Sequence, residues 1–96
     1  MEWVHTLSAY IGRQMKVWIE DYSGEEQTKP ADYTLHKVQT TSEGTYLQFY
    51  LNPNQFLSVP IFDQKQTYME SDNEEECFVS NDVTAKLFYR IYFSKS

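Results

Sequence analysis

Few side chains in this sequence could carry covalent or metal chemistry. The candidate soft ligands His5, His36 and Cys77 lie far apart in the chain. No Cys-x-x-Cys or His-x-x-x-His spacing is present to mark a zinc or catalytic metal site. The run Glu74-Glu75-Glu76 offers oxygen ligands, but a calcium loop alternates its ligands around a glycine, and this run does neither. Cys77 and His36 make the one conceivable thiol–imidazole pair. Cys77 directly follows the acidic run, whose charge raises a thiol's pKa, so it reads as a small apolar residue at the start of a strand. Gly12, Gly24 and Gly44 stand singly, so no phosphate-cradling loop exists, and neither does a Gly-x-Ser-x-Gly elbow. The acids show no spacing that singles out an acid–base pair, and exposed carboxylates keep ordinary pKa values. A non-enzymatic protein without metal or cofactor is the expectation.

Two sets of residues remain as contact surfaces. The first is acidic. Glu25 and Glu26 fall in one loop with Glu20, Asp21 and Asp32, and Glu70, Asp72, Glu74, Glu75 and Glu76 fall in another. Such carboxylates either solvate a rim or engage a basic partner. The second set lies on the last strand, where Lys86, Phe88, Arg90 and Tyr92 share one register, with Trp18 and Tyr46 or Tyr50 expected beside them. Interleaved rings and cations suit a protein interface, a single-stranded nucleic-acid platform, or a second packed face with snorkelling cations.

The charge distribution weighs between these. The formal net charge is −6, and an acidic whole repels nucleic acid at long range. Residues 51–82 carry Asp63, Glu70, Asp72, Glu74, Glu75, Glu76 and Asp82 against Lys65, whereas residues 83–96 carry only the cations Lys86, Arg90 and Lys95. A single cysteine excludes an internal disulfide framework and fits a reducing compartment. Thr6, Ser8 and Arg13 interrupt any leader-like apolar stretch, and no run reaches the roughly 18 apolar residues of a spanning helix. A cytoplasmic protein that does not enter membranes is expected.

The elements that position these residues follow from periodicity. Trp3, Leu7 and Ile11 recur at helical spacing, and Gly12 stands where a C-cap belongs, giving a short helix within residues 1–12. Residues 13–96 alternate with period two in short runs. Met15, Val17 and Ile19 face inward in the first run. Tyr33–Thr40 is weaker, with a bulge expected near His36 and Lys37. Leu47, Phe49 and Leu51 face inward in the next, then Leu57, Val59 and Ile61, with Pro60 marking an edge strand. Residues 22–32 and 63–76 read as acidic loops. Cys77–Val79 is a short strand, Ser80–Asp82 a turn, and Val83–Phe93 a long strand paired on both sides, with Ala85, Leu87, Tyr89, Ile91 and Phe93 inward. The expected fold is one domain over residues 1–96, mainly β (α+β): a short N-terminal helix, then five to six antiparallel strands in a small barrel or highly bent sheet.

Leu7–Ile11-Gly12 followed by Met15, Val17 and Ile19, with strands running on to Leu57-Ser58-Val59-Pro60-Ile61, resembles the Sm-like family of small barrels. That resemblance covers the first two thirds of the chain and implies a helix before five bent strands. The family's Asp-Gly turn after the first strand is replaced here by Asp21-Tyr22-Ser23-Gly24. Its Asp-x-x-Asn RNA loop and its Arg-Gly pair are absent, so no RNA-binding residue is carried over.

These observations converge on a small acidic protein that binds, and in the manner of phage-encoded acidic inhibitors blocks, a partner protein with a basic surface. The alternatives are an Sm-like or barrel-type single-stranded nucleic-acid binder, acting as an oligomer, and a small-molecule-binding barrel.

Overall fold

The computed structural model describes residues 2–24, 31–71 and 74–94. A five-residue helix, α1 (Trp3–Leu7), runs into a 3-10 turn at Ser8–Tyr10. Eight strands follow: β1 (Gln14–Asp21), β2 (Ala31–Thr34), β3 (Lys37–Thr40), β4 (Tyr46–Asn52), β5 (Gln55–Pro60), β6 (Thr67–Ser71), β7 (Glu75–Asp82) and β8 (Leu87–Ser94). They form a five-stranded sheet in the order β2-β1-β8-β7-β6 and a three-stranded sheet in the order β3-β4-β5. All pairings are antiparallel. The fold is mainly β behind a short helix, as the periodicity implies. The strands number eight instead of five or six, and they make two sheets without closing into a barrel.

Alternation explains which side of each strand is buried. Met15, Val17 and Ile19 of β1 lie in the core with Phe78 of β7 and Ile91 and Phe93 of β8. Val38, Leu47, Phe49 and Val59 of the smaller sheet meet them there. Phe49 crosses between the sheets, its ring 5.5 Å from that of Phe78 and 6.4 Å from that of Phe93. Each fully buried ring or branched side chain here contributes about 1.5–3 kcal/mol. The helical segment adds Trp3, edge-on to Phe78 at 5.1 Å, and Tyr10, stacked on Phe93 at 4.5 Å. The Trp3–Leu7 stripe packs inward as expected. Ile11 is exposed, because the helix ends early and the chain turns at Gly12, whose φ of +90° suits glycine.

Four expectations are corrected. Tyr33–Thr40 is no bulged strand, because the chain changes sheets within it. The Leu35 N–H donates to the Arg13 carbonyl, and the next donor, His36 N–H, goes to the Tyr50 carbonyl in the other sheet. This crossover places Tyr46 and Tyr50 in the smaller sheet, away from Trp18. Within residues 63–76, expected as loop, β6 forms because Thr67–Ser71 finds a ladder partner in β7. The turn expected at Ser80–Asp82 falls instead at residues 83–86, so β7 is longer and β8 starts at Leu87. That shift moves Lys86 into the turn, with φ of +59°. Residues 25–30 and 72–73, with Glu25, Glu26 and Asp72 of the acidic set, lie outside the described residues. Pro60 does sit on an edge strand, β5.

A chain of hydroxyls joins the sheets where β5 meets β7. Thr67 and Ser80 are the buried polar residues of the core. Ser80 Oγ donates to the Pro60 carbonyl at 2.6 Å, Thr67 Oγ1 lies 3.0 Å from Ser80 Oγ, and the Phe62 N–H donates to Thr67 Oγ1 at 2.8 Å. Each hydroxyl has one proton, so Thr67 must donate to Ser80. Ser80→Ala should therefore destabilise by about 1–3 kcal/mol, because it strands a buried carbonyl and a buried hydroxyl. The Ser80→Ala/Thr67→Val double variant should cost less than the two single losses together. Urea denaturation of the four proteins measures both, and strict additivity would contradict the network.

Candidate functional site

The outer face of the five-stranded sheet gathers most of the aromatic and cationic residues singled out by periodicity. Strand pairing sets them in rows: Asp32–Lys16–Tyr92–Cys77–Glu70, then Trp18–Arg90–Val79–Tyr68, then Glu20–Phe88–Asn81. The three-stranded sheet and the helical segment pack on the opposite side. Among the described residues no helix or second sheet is stacked on this face. Trp18, Phe88, Arg90 and Tyr92 come together here as expected, and Lys86 does not.

Arg90 is the hub. Its guanidinium sits 5.5 Å from the Phe88 ring centroid and 4.0 Å from the Glu20 carboxylate. Tyr22 extends the aromatic patch, 5.2 Å from Phe88, and donates its hydroxyl proton to Asn81 Oδ1. Burial opposes the charge on Arg90, but Tyr92, Glu20 and Cys77 outweigh it, and its pKa is raised. The Trp18 Nε1–H and Arg90 Nε–H are buried and have no acceptor among the described residues. Such donors cost stability in a fold otherwise well satisfied, and local inconsistencies of this kind concentrate at contact sites.

Two clefts flank the Tyr92 ring. One, of about 240 Å³, is lined by Gln14, Lys16, Asp32, Glu75 and Ser94. The other, of about 210 Å³, is lined by Glu70, Ser71, Glu75 and Cys77. Each holds two carboxylates, Asp32 and Glu75 in the first, where Lys16 stands with them, and Glu70 and Glu75 in the second. Of the acidic set, Glu70 and Glu74 are exposed and Glu75 is half-buried between the clefts. Glu76 points the other way. It faces the core side in register with Phe93 and accepts the Tyr10 hydroxyl proton, so it braces the helical segment.

Cys77 is buried. Burial, reinforced by Glu70, pushes its thiol up to about 11 against the pull of Arg90. The small buried residue expected near the start of this strand is found, and burial outweighs neighbouring charge in raising its thiol. Among the described residues no group of three or more His, Cys, Asp or Glu converges, and no helix is long and apolar enough to cross a membrane. No protein-family model, curated protein or solved structure matches the chain.

The contribution of Tyr68 was missed by sequence reasoning because its segment was read as loop. The signal was present: Thr67, Tyr68 and Met69 interrupt an otherwise polar stretch.

Two measurements follow. At about pH 8, Cys77 should react with a disulfide reagent roughly a hundredfold more slowly in the folded protein than in urea. Equal rates would contradict a buried, protonated thiol. Tyr10 is held up at about 12 by burial, by its hydrogen bond to Glu76 and by that carboxylate's charge, with Arg13 opposing. The fold thus holds the phenol proton more tightly than the unfolded chain does. The resulting stability is fully present below pH 10.0, the unfolded value, and is lost as pH rises toward 12. Tyr10→Phe should lower stability at neutral pH by about 1–3 kcal/mol and reduce the slope of the loss between those pH values. An unchanged slope would contradict the assignment.

Proposed function

We propose that this protein is a non-enzymatic binding module that holds a partner protein with a basic surface against the outer face of its five-stranded sheet, and inhibits that partner by covering it. The observation that carries this reading is the pair of acid-lined clefts flanking Tyr92, set beside the half-buried Trp18, Phe88 and Arg90. Aromatic residues and arginine supply most hot-spot energy in protein interfaces, and carboxylates around them select lysine and arginine on the partner and speed encounter. The net charge of −6 acts in the same direction.

A second reading follows from the Sm-like resemblance: single-stranded nucleic acid stacking on the same face. The guanidinium of Arg90 over the Phe88 ring favours it. The carboxylates of Asp32, Glu70 and Glu75 beside Tyr92 disfavour it, since they repel phosphates.

The test is capture from nuclease-treated host extract on the tagged protein, with wild type and the Asp32→Lys/Glu70→Lys variant compared across salt concentrations. Both substituted positions are exposed, so folding should be preserved. Captured proteins should be basic, elute as salt rises, and fall at least about tenfold on the variant. Capture that is indifferent to salt and to the charge reversal would overturn the reading, and capture abolished by nuclease would transfer it to nucleic acid.

A further inference from the structure

A groove of about 630 Å³ opens at the free edge of β6, between that strand, α1 and the β5–β6 connection. Its lining includes the aromatic residues Trp3, Phe62 and Tyr68 together with Asp63 and Met69. Among the described residues, Asp63 is the one ionisable acid or base of the lining apart from the Tyr68 phenol. Part of the wall is held by contacts within the protein. Trp3 is wedged edge-on against Phe78. Thr67 is anchored through Ser80, and its Oγ1 accepts the Phe62 N–H. The Asp63 carbonyl accepts the N–H groups of Gln66 and Thr67, and its Oδ1 accepts the Lys65 N–H at 3.0 Å. Lone pairs on the carboxylate remain for a further donor.

We propose that this groove binds an alkylammonium group, placing the cation beside Asp63 and against the aromatic residues of the lining. The faces of aromatic rings carry negative potential and attract cations, most strongly when water is excluded. A purely apolar ligand would desolvate Asp63 without compensation. An anion would meet that carboxylate with no cation in the lining. A hard metal ion needs six or more oxygen ligands, where this groove has one carboxylate. An ammonium carried on carbon satisfies the rings and the acid together. The inference rests on the groove's own lining and stands whether or not the outer face of the sheet binds a protein.

NMR of the isotope-labelled protein tests it, following the Trp3 indole and the Tyr68 ring at constant ionic strength. The probes are choline, n-butylammonium, and 3,3-dimethylbutan-1-ol, the neutral carbon analogue of choline. Either cation should produce saturable shifts at both residues, and the alcohol should bind at least about tenfold more weakly. Asp63→Asn keeps an acceptor for the Lys65 N–H and should weaken the cations several-fold while leaving the alcohol unchanged. Phe62→Leu, at a partly exposed position, should weaken the cations as well. If choline binds more tightly, the natural group is a quaternary ammonium. If n-butylammonium does, it is a lysine-type side chain. Absence of saturable shifts with both cations, an alcohol as tight as choline, or cation binding unchanged by Asp63→Asn would each overturn the proposal.

Discussion

Strand β8 hydrogen-bonds along both edges, to β1 on one side and β7 on the other, so each of its side chains must point to one sheet face or the other. Ile91 and Phe93 take the inner face and are fully buried. The outer register is then forced on Phe88, Arg90 and Tyr92, whatever covers them. A one-residue slip would exchange the two sets, sending Arg90 into the core and Phe93 to water. The depth of Ile91 and Phe93 therefore locks the position of Arg90. Packing on one side of this strand fixes the geometry of the outer face on the other.

The inner side is held by a compact set of contacts. Phe49 reaches from the smaller sheet to Phe78 and Phe93, Trp3 and Tyr10 close over the same two rings, and the Ser80–Thr67 hydroxyl pair ties β5 to β7. These contacts join segments far apart in the chain, so the domain depends on non-local pairing, and its five-residue helix, too short to persist alone, is held in place by Trp3 and Leu7 in the core. Glu76 belongs to this machinery although its neighbours Glu74 and Glu75 do not, because alternation along β7 sends it inward to Tyr10.

Much of this was legible in the residue pattern. Met15-Val17-Ile19 and Leu47-Phe49 announced their inner faces through strict alternation, Pro60 marked an edge, and Phe88, Arg90 and Tyr92 were placed on one face together with Trp18. Three features were hidden for physical reasons. Polar residues flank Tyr68 and Met69 on both sides, so the signal of β6 was too short to read as a strand without the ladder that β7 supplies. Val83–Lys86 has strand-like composition, yet its backbone turns through a left-handed φ at Lys86, a conformation that residue type does not announce. The sheet change at Leu35–His36 depends on which carbonyl each amide finds, and single-sequence periodicity carries no information about partners. The acidic run illustrates the same limit, since adjacent glutamates of one type divide between surface and brace.

The central claim is that the outer face of the five-stranded sheet is the surface on which this protein meets a basic partner. Titrating the isotope-labelled protein with an arginine-rich peptide, and following side-chain and amide NMR signals, tests it most directly. The account predicts that the Trp18 indole, the Arg90 Nε–H and the amides of β1 and β8 shift first, that they shift together, and that added salt reverses the effect. Shifts confined to β3–β5, or none at low salt, would contradict it.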